Sequence, residues 1–258
     1  QSDFSWTLDN LIYYDKEFGK HSVGLTLLQS ATGYHYEESS MAAEGIPLES
    51  AKWNALSKEN VSLLDEWNSG LIEKQLLSYM FRVNYDYNNK YLLTVSGRWD
   101  GASQLAEGNK WAFFPSAALG WRLDQEEFLK DVTWLNQLKF RLGVGVTGNS
   151  AIDPYQTKGA IVSLYYPFGS ALAPGYAASE PLIKDGAVAM ANKDLSWEKT
   201  TQYNIGLDYS VLNGRISGVL DFYTSRTTDL LMAMTIPSLN GYTNTYANVG
   251  KTSNIGVD

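Results

Sequence analysis

Residues 79–101 read YMFRVNYDYNNKYLLTVSGRWDG, and the alternation in this stretch decides the fold. Tyr79, Phe81, Val83, Tyr85 and Tyr87, then Tyr91, Leu93, Val95 and Trp99, share one side of a two-residue period. Arg82, Asn84, Asp86, Thr94, Ser96, Arg98 and Asp100 share the other. That is the period of a β-strand, whose successive side chains point to opposite faces. Asn88, Asn89 and Lys90 between the two runs supply a tight turn, so the stretch reads as a hairpin with one apolar and one polar face. In a water-soluble protein the apolar face covers a core; in a membrane barrel it meets lipid.

Eight such alternating segments can be traced along the chain. Phe4, Trp6, Leu8, Ile12 and Tyr14 share a face, and the turn EFGK leads into Val23, Leu25 and Leu27. A long polar insertion is expected from about Glu37 to Gln75, before the quoted hairpin. Beyond GASQLAEGNKW, Phe113, Ala117, Leu119, Trp121 and Leu123 alternate with Ser116, Gly120 and Arg122. DQEEFLKDVTWLN then reads as one short helix capped by Asp124, with Phe128 and Leu129 on its apolar side. Leu138, Phe140, Leu142, Val144 and Val146 form the next strand face, opposite Lys139, Arg141, Gly143, Gly145 and Thr147. A second long insertion, about Asn149 to Glu198, precedes a hairpin built from Tyr203–Val211, the turn LNGR and Ile216–Phe222.

Composition narrows the class. The 258 residues suffice for one large or two ordinary domains, although a start at QSDFSW without Met and an end at GVD, where another alternating segment opens, suggest a piece of something longer. There is no cysteine, so no disulfide or thiolate metal site forms. With 17 Tyr, 8 Trp and 22 Gly, the profile suits strands and turns. A formal charge of -8 argues against a nucleic-acid partner, which calls for a basic stripe. No apolar run reaches the roughly 18 residues of a membrane helix, which leaves a barrel open because its strands need only about 10 residues each.

Connections alternate between tight and long, with the DQEEFLK segment the exception. Outer-membrane barrels place tight turns on the periplasmic side and long loops outside. The alternating runs span about 10 to 12 residues, near the length that crosses a bilayer and about twice the usual globular strand. Aromatic residues lie near both ends of the apolar faces with aliphatics between, as in the two girdles of a barrel. These features favour a membrane barrel; a soluble carbohydrate-binding β-sandwich and a secreted β-rich glycoside hydrolase stay open.

The run RVNYDYNNKYLLTVSGRWDGASQLAEGNKWAFFPSAALGWRL, followed by LNQLKFRLGVGVTGNS and NKDLSWEKTTQYNIGLDYSVLNGRISGVLDFYTSRTTDLL, resembles the SusC/RagA family of TonB-dependent outer-membrane transporters of Bacteroidota. The resemblance covers about Leu76 through Gly256, and the opening WTLDNLIYYDKEFGKHSVGLTLLQSAT resembles the glycan-importing, SusC-like branch. It implies an all-β transmembrane antiparallel β-barrel, of which residues 1–258 form part, with long extracellular loops. The whole barrel would have about 22 strands around a plugged lumen. It further implies a SusD-like surface lipoprotein as lid, TonB as the source of energy, and an oligosaccharide or peptide as cargo. The plug, the TonB-contacting segment and the last strands are expected outside this sequence.

Within that frame Arg82, Arg98, Asp100, Arg122 and Arg141 are expected to face the lumen, and GRWDG to mark where the wall leaves the membrane for the outside. Tyr155, Tyr165 and Tyr166 with Phe168 in the second insertion, and Trp53 and Trp67 in the first, are candidates for stacking on sugar rings. The same rings would serve equally to pack loops together or against the lid. GVGVTG, residues 143–148, matches a dinucleotide fingerprint in letters only: it lies inside a strand pattern and no helix follows. Gly143 and Gly145 are instead expected to keep the lumen face small where a plug packs close to the wall. The acidic pairs Glu37–Glu38 and Glu126–Glu127 are adjacent residues, whereas glycoside hydrolysis needs two carboxyls set across a sugar. His21 and His35 lack ligand or triad spacing, so no catalytic residue, metal or cofactor is expected.

Overall fold

The computed structural model describes residues 1–44, 63–158, 162–169, 171–177, 189–237, 239, 242 and 244–258. Its strands in chain order are β1 (Ser2–Phe18), β2 (His21–Glu44), β3 (Leu63–Tyr87), β4 (Tyr91–Ala102), β5 (Trp111–Arg122), β6 (Leu135–Asn149) and β7 (Val162–Phe168). They continue with β8 (Ala171–Ala177), β9 (Ala189–Met190), β10 (Glu198–Val211), β11 (Ile216–Thr228), β12 (Leu231–Thr235), β13 (Asn244–Asn248) and β14 (Lys251–Val257). Nine of these make one sheet in the order β1-β2-β3-β4-β5-β6-β10-β11-β14. Every neighbouring pair in it is antiparallel.

Register turns the alternation of each strand into two continuous surfaces. Leu25, Val83, Val95, Ala117, Val144 and Tyr203 form one rung across six strands. The next rung is Thr26, Arg82, Ser96, Ser116, Gly145 and Gln202, pointing the other way. Ser96 and Ser116 hydrogen-bond across it at 2.6 Å, and the Thr94 hydroxyl donates to Asn84 at 2.9 Å. On the apolar face Leu119, Tyr203 and Phe222 remain 53%, 55% and 54% exposed. A face this broad and this apolar needs lipid rather than water against it.

Aromatic rings frame that face at both ends. Near the tight turns Phe18, His21, Tyr87, Tyr91 and Trp121 follow one another across five strands, with centroids 4.9 to 6.4 Å apart. At the other end Trp99 lies 4.2 Å from Phe113, and Tyr79 lies 6.2 Å from Trp111. From Tyr79 to Tyr87 the strand rises about 26 Å. With the usual tilt that matches an apolar band of roughly 20 to 25 Å between two girdles.

The turns explain why the strands reverse where they do. Asn88 and Asn89 both adopt the left-handed conformation (φ 58° and 53°), the backbone of a type I′ hairpin. The Asp86 carboxylate accepts the Asn89 N–H at 2.7 Å, and the Lys90 N–H closes onto the Tyr87 carbonyl at 3.0 Å. Gly19 and Gly214 serve the corresponding turns at φ 64° and 78°.

Two expectations are corrected. The described residues of the first insertion are strand, because β2 runs on to Glu44 and β3 begins at Leu63, in register with a single shift between Ala42 and Ala43. Beyond the bilayer both faces of such a ribbon meet water, so backbone pairing continues after the apolar alternation has stopped. The DQEEFLK segment is not one helix but two 3-10 turns, Leu123–Gln125 and Glu127–Leu129. Neither has a side-chain cap. Asp124 instead accepts from Arg122 and Gln125, both at 2.8 Å, and from the Leu138 N–H at 3.3 Å, which ties the turn to β6. Phe128 is 69% exposed, so there is no apolar side to hold a helix in place.

Candidate functional site

Two features of the sheet are candidates for function: its polar face, and the loops gathered beyond the ends of β4, β5 and β6. Arg82, Arg98, Asp100, Arg122 and Arg141 all lie on the polar face by register. Arg98 donates through Nε to Asp100 at 2.7 Å and through its guanidinium to Ser78 at 3.0 Å, where Ser78 is 1% exposed. Arg122 pairs with Asp124 at 2.8 Å. Arg141 bridges Asp208 at 2.8 Å and Asp221 at 3.0 Å, tying β6, β10 and β11 together. Arg82 makes no ion pair among the described residues.

Between these charges the polar face is hollowed. Gly120 and Gly143 underlie a depression of about 260 Å³ rimmed by Lys139, Arg141 and Asn204. A Cβ on Gly143 would meet only the Asn204 Cβ, at 3.9 Å, and one on Gly145 only the Ser116 Cβ, at 3.4 Å. Contacts within this chain therefore do not require glycine at either position. GVGVTG lies wholly inside β6, and the residues that follow it, 150–158, are not helical, so they do not form the strand-to-helix phosphate turn of a dinucleotide site.

The loop end begins at Pro115. Pairing of β5 with β4 runs from Trp111 to Trp121, whereas pairing with β6 starts only at Ser116. Pro115, which has no N–H to give, stands where the second ladder stops. The Phe114 ring enters the opening against Gly148. Around it packs the buried apolar cluster of the described residues: Ala102, Leu105, Ala106, Phe114, Ile152, Leu195 and Trp197. The Trp197 ring meets Phe114 edge-on at 5.2 Å, and its indole N–H donates to the Lys110 carbonyl at 2.8 Å.

Polar contacts stitch the same loops together. Ala106 N–H donates to Leu195 C=O at 3.1 Å, and Gln104 donates to the Ser150 carbonyl at 3.0 Å. Asn248 donates to the Ser196 carbonyl at 2.8 Å and accepts the Ser196 N–H at 2.9 Å. The strands β12, β13 and β9 form a small sheet in this region, and β7 pairs with β8 in a separate hairpin. Sequence reasoning missed this cluster because Leu105, Ala106, Ile152, Leu195 and Trp197 lie in loops without periodicity, joined by Ala102 and Phe114 from the loop ends of β4 and β5.

Against the cluster lies an open cleft of about 900 Å³, walled by β3 and the loops after β4 and β6. Tyr155 lines it, 46% exposed, and its hydroxyl accepts the Glu73 N–H at 3.2 Å. Tyr155 has a φ of 71°, a conformation costly for a bulky residue and held here by its neighbours. Tyr165 and Tyr166 lie in β7 in register with Pro174 and Ala173, Trp67 lies in β3 in register with Met41, and Trp53 lies outside the described residues.

The acidic pairs are engaged locally. Glu38 accepts from Tyr36, Glu37 lies 4.0 Å from His35, and His35 contacts Glu73 at 3.1 Å. Glu126 accepts from the Tyr91 hydroxyl at 2.7 Å, the Trp121 indole at 2.9 Å and the Lys90 ammonium at 3.0 Å. Those hydrogen bonds, the Tyr91 one foremost, hold its pKa down at about 2. Neither pair sets two carboxyls across a cleft, as glycosidase chemistry requires. His21 hydrogen-bonds Tyr85 at 2.7 Å within the aromatic row.

Comparison with known proteins agrees with this geometry. The family described as "TonB dependent receptor-like, beta-barrel" matches residues 1–258. The chain is 39% identical to the TonB-dependent receptor SusC of Bacteroides thetaiotaomicron over 217 residues, 80% of this chain and 20% of that protein. It is 34% identical to the TonB-dependent receptor P26 of Formosa agariphila, covering 97% of this chain and 24% of that protein. The structure of the RagAB peptide transporter superposes with a TM-score of 0.82 at 26% identity, over 99% of this chain and 27% of that one. The chain thus spans about a quarter of the length of these relatives, and the sandwich and hydrolase readings give way to a barrel wall. It belongs to the TonB-dependent receptor β-barrel family of the outer membrane, and its nine-stranded antiparallel sheet is part of such a barrel.

Proposed function

We propose that this sheet is a stretch of wall in a SusC-like importer that takes up oligosaccharides across the outer membrane beneath a SusD-like lipoprotein lid. The observation that carries the reading is the register of the two faces. A rung of Leu25, Val83, Val95 and Ala117 suited to lipid alternates with a rung of Thr26, Arg82, Ser96 and Ser116 suited to a water-filled or plugged lumen. The unforced glycines at 143 and 145 fit a plug that approaches the wall closely, in a barrel of about 22 strands. Plug and TonB-contacting segment belong, in this reading, to the full-length protein.

Oligosaccharide cargo is supported by the resemblance of the opening segment to the glycan-importing branch and by the half-open Tyr155 ring. Peptide cargo is the second reading, favoured by the superposition on the RagAB peptide transporter. Deleting the full-length gene and measuring growth on oligosaccharides and on peptides as sole carbon source separates them. Loss of growth on oligosaccharides alone is expected, with the protein recovered in the outer-membrane fraction. Recovery of the full-length protein in a soluble fraction would sink the importer itself, and loss of growth on peptides alone would sink the cargo.

A further inference from the structure

We propose that the cleft at the loop end takes an oligosaccharide carrying carboxylate or sulfate groups, a deepening that rests on the oligosaccharide reading above. The chain as a whole is acidic, with a formal charge of -8, yet this cleft presents Lys110, Lys158 and Lys193. All three are exposed, and none forms an ion pair among the described residues. Among the described residues two acids line the cleft, Glu73, which lies 3.1 Å from His35, and Glu107. Asp153 and Asp194, the nearest acids in sequence, do not line it. Three lysines therefore face two acids among the described lining residues, an excess of positive charge of the kind that attracts an anionic ligand.

The lysines also rise from fixed backbone. The Lys110 carbonyl is held by the Trp197 indole, and the Lys158 N–H closes on the Tyr155 carbonyl at 2.8 Å. Beside Lys193, the Asn192 side chain donates to the Tyr246 carbonyl at 2.7 Å and accepts the Asp194 N–H at 2.9 Å. Behind them Leu105 is 1% exposed within the apolar cluster. Backbone fixed in this way reduces the ordering cost of binding. Tyr155 adds a ring on which the C–H face of a sugar can lie. At about 900 Å³ the cleft falls within the size range of ligand sites.

A peptide is disfavoured by the state of the strand edge in this cleft. Peptides commonly bind by adding a strand, which needs free N–H and C=O groups. Here the Gln75 N–H donates to Ser103 Oγ at 2.9 Å, the Gln75 C=O accepts the Ser103 N–H at 2.9 Å, and the Glu73 N–H is taken by Tyr155. The edge of β3 is already capped where a peptide would need it.

The test is binding to the full-length receptor purified in detergent, by calorimetry, with four probes: hexagalacturonate, a sulfated galactan hexasaccharide, maltohexaose and hexaglutamate. One or both acidic sugars should bind at least tenfold tighter than maltohexaose, weaken with added salt, and reveal by their ranking whether carboxylate or sulfate is preferred. Replacing Lys158→Gln and Lys193→Gln together should cost about tenfold, while the paired Lys→Arg variant retains affinity and both variants keep the heat-modifiable gel mobility of a folded barrel. Acidic-sugar binding indifferent to these lysines would overturn the inference. Equal, salt-insensitive binding of maltohexaose would also overturn it and leave oligosaccharide import standing. Binding of hexaglutamate with no oligosaccharide would overturn both.

Discussion

The Trp197 indole N–H donates to the Lys110 carbonyl at 2.8 Å, joining the segment before β10 to the loop before β5 across 87 residues of sequence. Trp197 is 5% exposed, in a chain whose other large aromatics mostly face outward. The buried apolar cluster around it thus belongs mainly to the loops, with Ala102 and Phe114 added from the loop ends of β4 and β5. Trp197→Phe should remove one hydrogen bond, at a cost of about 1 kcal/mol. Trp197→Ala should leave a cavity costing about 3 to 5 kcal/mol of loop stability. Limited proteolysis of the full-length receptor in outer membranes checks this: loops of Trp197→Ala should be cut faster while the heat-modifiable mobility of the barrel is unchanged. Loss of the barrel itself would show that the cluster stabilises the wall.

Arg141 holds two carboxylates, Asp208 and Asp221, from two different strands. Removing the cation leaves both acids facing each other on the polar face, so Arg141→Ala should destabilise the barrel by about 1 to 3 kcal/mol in urea unfolding. Adding Asp208→Asn and Asp221→Asn to that variant should restore much of the loss, because the repulsion is then absent. No recovery in the triple variant would mean that Arg141 acts by packing against Gly206 rather than by charge.

Glu126 titrates far below a free carboxylate, at about 2, because Tyr91, Trp121 and Lys90 all donate to its charged form. A depressed folded pKa stabilises above the unfolded value near 4.3 and loses that contribution as pH falls toward 2. Hydrogen exchange in the peptide covering residues 123–134 should therefore quicken between about pH 4.3 and 2, relative to a Glu126→Gln variant at each pH. In that variant the added pH dependence should be gone. An identical profile in both would show that the three donors do not hold the turn through Glu126.

Legibility in the sequence follows the solvent on each side of a strand. From Tyr79 to Trp99 one face is apolar and the other polar, so alternation alone gave the strands and the turn. Above the membrane the contrast vanishes: Ser39, Ser40 and Asn68 are polar residues in an intact ladder, and the same stretch reads as insertion. Leu105, Ile152 and Leu195 are single apolar letters in polar loops, and only the folded chain brings them together. Glu126 was legible as an acid in a turn but not as the acceptor of three side chains, two of them on neighbouring strands. Tyr155 was legible as an aromatic residue in a long connection, whereas its left-handed backbone and its bond to Glu73 depend on tertiary contacts.

The assignment of the two faces makes a prediction at adjacent residues. Val95 lies midway between Tyr91 and Trp99, on the apolar rung with Val83 and Ala117. Thr94, one residue earlier, points the other way and donates to Asn84. A guanidinium at position 95 would have to enter the centre of the lipid band, a cost of about 2 to 4 kcal/mol for a barrel. At position 94 it would meet the polar interior, where Asn84 and Asn204 can accept from it. Val95→Arg should thus sharply reduce the heat-modifiable, folded fraction of the full-length receptor in outer membranes, while Thr94→Arg should assemble nearly as well as the parent. Reversal of that order would turn the sheet inside out, placing the Val95 rung against the interior and the Thr94 rung toward the membrane.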